Sequence, residues 1–217
     1  MSEHTRAFYD RISHVYDLIA DGGEHRARER GLELLAARPG ERILEIGFGT
    51  GQSLVELAQA VGDSGAVHGI DISTGMRDVA HKRLAAEDLH DRVELRVDAA
   101  PPLPYADQTF DAVSMSFTLE LFEEPDLVGI LAESRRVLAP GGRVGVVSMA
   151  SVQDGEHESW MERTYIWMHR HFPHIVDCRP IPLEQMLEAN GFALSKQERL
   201  DLFSMPVAAV VAEPTTT

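Results

Sequence analysis

The residues best placed to do chemistry lie between positions 44 and 51, in Leu44-Glu45-Ile46-Gly47-Phe48-Gly49-Thr50-Gly51. Three alternating glycines straight after a short apolar run leave backbone without Cβ atoms, against which a ligand can lie directly. The spacing is G-x-G-x-G. A dinucleotide fingerprint would place its third glycine at position 52, which is Gln52, and no Gly-Lys-Ser/Thr follows to make a phosphate loop. Glu45 adds a carboxylate at the end of the run, where it repels a pyrophosphate and welcomes an ammonium.

Three more polar residues each close an apolar run. Asp71 ends Ala66-Val67-His68-Gly69-Ile70, 20 residues beyond Gly51. Its two oxygens can accept from both hydroxyls of a ribose, although an acid there also serves to cap the next helix. Asp98, with Ala99, suits the amino group of an adenine, or a turn ahead of Pro101-Pro102. Ser116 follows a fourth run, either facing the glycine turn across a crevice or standing as a solvated loop hydroxyl. Four such ends converging on one ligand is the arrangement by which open α/β sheets bind.

The elements that must hold these residues alternate. A helical region covers Thr5 to about Ala37, broken near Asp21-Gly22-Gly23, with Phe8, Ile12, Val15, Tyr16 and Ile19 on one face. Strands are expected at 42–46, 66–70, 93–97, 110–115 and 143–149. Helices are expected between them at 53–61, about 73–86 with Ser73 or Thr74 as cap, and 126–138, stopped by Pro140-Gly141-Gly142. A further helix at 183–190 ends at Gly191, which suits a left-handed cap. Strands at about 194–200 and 206–212 complete the chain as an antiparallel edge pair. The predicted fold is a Rossmann-like, seven-stranded, mostly parallel sheet with helices on both faces. It forms one domain over 1–217, with an N-terminal helical cap at 1–38 and a lid insert at 151–182, including a helix at 156–171.

Composition narrows the partners. The chain has 217 residues, 44% hydrophobic and 25% charged, and a net charge of -15 from 35 acidic and 20 basic side chains. That field repels phosphate backbones and anionic lipid head groups, so nucleic acid is not the expected substrate. The single Cys178 excludes an internal disulfide and permits a reducing compartment. Met1 to Asp10 is too polar for a signal peptide, and no apolar run reaches the roughly 20 residues that span a bilayer. A cytoplasmic protein without stable membrane insertion is expected, acting on a small molecule, with a homodimer compatible.

These motifs resemble those of the class I S-adenosylmethionine-dependent methyltransferases. Glu45-x-Gly47-x-Gly49-x-Gly51 is similar to their first motif and Gly69-Ile70-Asp71-Ile72-Ser73 to the acidic second. Phe110-Asp111-Ala112-Val113 is similar to the fourth-strand motif, and Arg136-Val137-Leu138-Ala139-Pro140-Gly141-Gly142 to the turn before the fifth strand. The resemblance spans about 40–150. It implies S-adenosylmethionine as cofactor, with Glu45, Gly47, Gly49, Thr50, Gly51, Asp71, Ile72, Asp98, Ala99 and Ser116 around it and Met76 near the adenine. Phe8-Tyr9-Asp10-Arg11-Ile12-Ser13-His14-Val15-Tyr16-Asp17 also resembles the N-terminal signature of the ubiquinone and menaquinone C-methyltransferases, which makes Tyr16 a lid contact. The chain departs from that group after the fourth strand, where Leu119-Glu120-Leu121-Phe122 replaces an Ile-Arg-Asn-like stretch and Leu121 stands where many relatives have His.

Methyl transfer needs alignment and dryness first, and a base only where the acceptor carries a proton that must leave. Candidate bases lie in the insert: Tyr165, His169, His171 and His174, the histidines titrating near neutrality. They read equally as packing or surface residues. His169, His171, His174 and Cys178 match no zinc spacing, and no metal is expected. Trp160, Tyr165, Trp167 and Phe172 suit an apolar acceptor pocket or a hydrophobic seam, and Met161 and Met168 would adapt such a pocket. The leading expectation is C- or O-methylation of a quinone-like or other aromatic acceptor. The alternatives are N-methylation of an amine or lipid head group, and a non-catalytic cofactor-binding protein.

Overall fold

Residues 23–151, 180–202 and 205–215 are described by the computed structural model. The N-terminal cap before residue 23 and most of the insert, including the helix expected at 156–171, lie outside the described residues.

The strands are β1 (Arg42–Ile46), β2 (Ala66–Asp71), β3 (Val93–Val97), β4 (Phe110–Ser116), β5 (Leu138–Met149), β6 (Phe192–Leu202) and β7 (Met205–Pro214). They form one sheet in the order β3-β2-β1-β4-β5-β7-β6. β1 to β5 pair in parallel, β7 runs antiparallel to β5, and β6 antiparallel to β7. The chain starts at the centre and winds to one edge, then crosses β1 to the other side. The reversal between β1 and β4 leaves a crevice beyond their carboxyl ends, the usual ligand position in such sheets.

Helices cover both faces because the central strands are apolar on both. α1 (Gly23–Leu35), α2 (Gln52–Val61) and α3 (Thr74–Ala86) lie on one side, where Leu35, Leu54, Leu57, Val61, Met76 and Ala80 meet Ile43, Val67 and Ala112. α4 (Glu124–Val137) and α5 (Leu183–Ala189) lie on the other, where Leu127, Ile130, Leu131 and Leu187 meet Leu44, Ile46, Val113 and Met115. Each buried leucine of this kind contributes roughly 1.5–3 kcal/mol. α1 approaches β5 closely through Gly31, where any Cβ would overlap Val147.

The element boundaries differ in instructive places. Ser73 is the cap of α3, its hydroxyl accepting the Met76 amide at 3.0 Å. Pro125 sits in the first turn of α4, which therefore starts at Glu124 rather than 126. β5 begins at Leu138, not Arg143, because Leu138 already pairs with Phe110; the following residues are extruded as an irregularity before Arg143 pairs with Ala112. Gly141 absorbs the distortion with a φ of 78°. A 3-10 turn, Leu119–Leu121, follows β4 where the sequence carried no helical period.

Candidate functional site

The glycine turn is built by the two strands that flank it. The Gly47 amide donates to the Ile70 carbonyl at 2.8 Å, tying the end of β1 to the end of β2. Gly47, Gly49 and Gly51 take φ values of 73°, 50° and 81°, the left-handed region that side chains resist. They do so for different reasons. A Cβ on Gly47 would run into Thr118, and one on Gly51 would lie 2.8 Å from the Ala80 Cβ, whereas one on Gly49 would meet nothing within 4 Å. Gly51 is thus a packing glycine that caps α2, and Gly49 is open backbone at the crevice. Arg83 fixes the turn from α3 by donating to the Thr50 carbonyl at 2.9 Å.

Asp71 completes this frame. Its Oδ2 accepts the Gly49 amide and its Oδ1 the Ser73 amide, each at 2.9 Å. Asp71 is half-buried and lines the crevice. The Asp98 amide in turn donates to the Asp71 carbonyl at 3.0 Å.

Glu45 lies beneath the turn, in register with Ser114 on β4. It is 1% exposed. Burial pushes its carboxyl up to about 7, against the Ser53 and Ser114 hydroxyls and the Arg28 charge, which favour ionisation. Oε2 has no hydrogen-bond partner among the described residues. A buried acceptor of this kind carries a cost that a charged donor such as an ammonium would remove. Arg28 reaches over from α1 and donates to the Gln52 side chain.

The far wall comes from the tip of β4. Phe117 takes a φ of 52°, unusual for a bulky residue, and its amide donates to the Val147 carbonyl at 2.8 Å. The Thr118 hydroxyl lies 3.0 Å from the Ser116 carbonyl and 3.4 Å from the Gly47 carbonyl, joining this tip to the glycine turn.

One crevice therefore gathers Glu45, Gly47, Gly49, Thr50, Asp71, Ile72, Met76 and Ser116, all expected from the sequence. Gly51, Asp98 and Ala99 do not line it. Gly51 is spent on helix packing. Asp98 and Ala99 are exposed at the β3 tip, where Asp98 accepts its neighbour's amide at 2.9 Å. Tyr16, Tyr165, His169 and His171 lie outside the described residues, as do His174 and Cys178. The sequence reading missed Glu24, Arg28, Phe117, Thr118 and Leu121 as lining residues, and used Gln52 only to exclude a dinucleotide motif. Gln52 and Ser53 had a usable signal, their place directly after the turn. Arg28 had none, because only packing brings α1 to the crevice.

A central glycine turn, an acid closing β2, and the strand order 3-2-1-4-5-7-6 define the fold of the class I S-adenosylmethionine-dependent methyltransferases. Residues 43–142 match the family described as methyltransferase domain. The chain is 35% identical over 143 residues to the demethylmenaquinone methyltransferase of Lactobacillus johnsonii, covering 64% of this chain and 58% of that protein. It is 33% identical over 168 residues to the ubiquinone/menaquinone biosynthesis C-methyltransferase of Teredinibacter turnerae, covering 76% of this chain and 65% of that one. The chain thus spans about three fifths of the length of these relatives. A solved S-adenosylmethionine-dependent methyltransferase from Aquifex aeolicus superposes with a TM-score of 0.62 at 22% identity, over 85% of this chain and 88% of that one. No helix among the described residues is long and apolar enough to cross a membrane.

Proposed function

We propose that the chain transfers the methyl group of S-adenosylmethionine to a small-molecule acceptor, a quinone-like or other aromatic compound, at carbon or oxygen. The observation that carries this is the pairing of Asp71 with the Gly49 amide above a buried Glu45 whose Oε2 lacks a partner among the described residues. In this reading Glu45 takes the amino group of the donor, Asp71 the ribose hydroxyls, and the bare backbone at Gly47 and Gly49 lies along the nucleoside, with Gly51 seating the turn on α3. Ile72 and Met76 provide the apolar floor for the adenine, Ser116 the opposite edge, and Asp98, at the exposed β3 tip beyond the crevice lining with Ala99 beside it, accepts from the adenine amino group. The kinship with two quinone methyltransferases supports the acceptor class.

The bound cofactor supplies an activated methyl group on a sulfonium centre. The chain's own work is to hold donor and acceptor in line and to exclude water, which can be worth several kcal/mol of barrier. Where the acceptor carries a hydroxyl, His169, His171 or Tyr165 takes its proton, and Tyr16 closes over the donor. We place the protein in the cytoplasm, with a homodimer compatible, and its net charge of -15 favours a small molecule over nucleic acid.

The test is incubation with S-adenosylmethionine labelled in the methyl group and a panel of quinols, phenols and amines. Label in a quinol or phenol is expected. Label in amines alone would contradict the acceptor class.

A further inference from the structure

The donor proposed above carries a carboxylate as well as an ammonium, and the roles given to Glu45 and Asp71 leave that carboxylate without a partner. The crevice is a poor place for an anion. Glu24, Glu45 and Asp71 all line it, in a chain whose net charge is already -15. Arg28 is the single lysine or arginine among the described lining residues.

Arg28 stands in α1, one turn after Glu24, and is half-buried. Three other half-buried arginines each grip a carboxylate: Arg136 binds Glu133, Arg143 binds Glu41 and Arg199 binds Glu184. Arg28 instead donates to the side-chain oxygen of Gln52, the first residue of α2. That acceptor is neutral, so the bond aims the guanidinium without cancelling its charge. The planar fork of a guanidinium matches a carboxylate. Glu45 lies close by, because the Ser53 hydroxyl, next along α2 from Gln52, bonds it and the Arg28 charge favours its ionised form. The ammonium and carboxylate of an amino acid share one carbon. A ligand whose ammonium reaches Glu45 therefore brings its carboxylate into the neighbourhood of Arg28.

We infer that Arg28 is a specificity-determining residue: it pairs with the carboxylate of the methyl donor, so that the crevice selects adenosyl sulfonium compounds bearing that group over those without it. This assignment rests on the methyl-donor reading. Its sign is distinctive. Removing the carboxylate makes the donor more positive, and the acidic field of the whole chain alone would then favour the decarboxylated compound. A preference for the carboxylate needs a local cation.

Calorimetric titration of the full chain with S-adenosylmethionine and with decarboxylated S-adenosylmethionine tests it, because the two compounds differ only in that group. The wild type should bind the carboxylate-bearing compound at least tenfold more tightly. Arg28→Met keeps an unbranched side chain and drops the charge. It should weaken S-adenosylmethionine at least tenfold and leave the affinity for the decarboxylated compound within twofold. Arg28→Lys should restore part of the preference. A wild type that binds both compounds equally overturns the assignment without any variant. An Arg28→Met protein that weakens both in parallel, as loss of a mere tie between α1 and α2 would, or that weakens neither, also overturns it. Those outcomes leave the methyl-donor reading standing. A wild type that binds neither compound contradicts that reading, and the role of Arg28 falls with it.

Discussion

Asp71 Oδ2 accepts the Gly49 amide at 2.9 Å, so the acid that closes β2 and the bare turn after β1 form one unit. Replacing Asp71 therefore does two things. Asp71→Ala should weaken S-adenosylmethionine binding at least tenfold, about 1.4 kcal/mol, by removing the proposed acceptor for the ribose. It should also cost about 1–2 kcal/mol of stability, because the Gly49 and Ser73 amides lose their shared acceptor. Calorimetric titration and thermal unfolding separate the two. Unchanged affinity would remove Asp71 from the site.

The turn glycines should fail in different ways. Gly47→Ala combines a φ of 73° with a collision against Thr118 and should cost about 3 kcal/mol of stability. Gly49→Ala meets no protein atom within 4 Å and should cost only about 1 kcal/mol from its φ of 50°. Its methyl group would occupy the ligand's path, so donor affinity should fall at least tenfold in a protein that still unfolds cooperatively.

In the proposed reading, Glu45 makes donor binding proton-linked. Its folded-state value of about 7 lies above the ordinary 4.5, so its contribution to stability is present below about pH 4.5 and is lost as pH rises through about 7. The stability of the wild type relative to Glu45→Gln should fall between pH 5 and pH 7. An ammonium beside the carboxyl favours its charged form. Binding of S-adenosylmethionine at pH 6 should then release a proton, read as a buffer-dependent calorimetric enthalpy, and Glu45→Gln should abolish the release.

Arg143 anchors α1 to the sheet. It donates to both oxygens of Glu41 at 2.9 Å and to the Leu35 and Ala36 carbonyls at 2.6 and 2.9 Å. Burial opposes the charge on Glu41, yet the Arg143 guanidinium holds that carboxyl below its usual range. Arg143→Ala should cost about 2–3 kcal/mol by denaturant unfolding. It should also weaken donor binding modestly, because α1 carries Arg28 and Glu24 to the crevice.

The parts of the site that sequence made legible are local ones. Glu45, the glycine turn and Asp71 announce themselves because each sits within a few residues of a strand end, and short apolar runs punctuated by glycine mark those ends. The misread boundaries arise where pairing overrides punctuation. Pro140-Gly141-Gly142 looks like a stop between elements, but Phe110 holds Leu138 in register and the sheet absorbs the turn as an irregularity. The Leu119–Leu121 turn is too short to show a period. Arg28 and Thr118 reach the site only through contacts between distant elements, which no spacing in the sequence encodes.

A calorimetric titration of the full chain with S-adenosylmethionine, S-adenosylhomocysteine and NAD bears most directly on the proposed cofactor. Saturable binding of both adenosyl sulfur compounds at one site per chain, with no measurable heat from NAD, is the expected result. Preferential binding of NAD, or no binding of either sulfur compound, would contradict it.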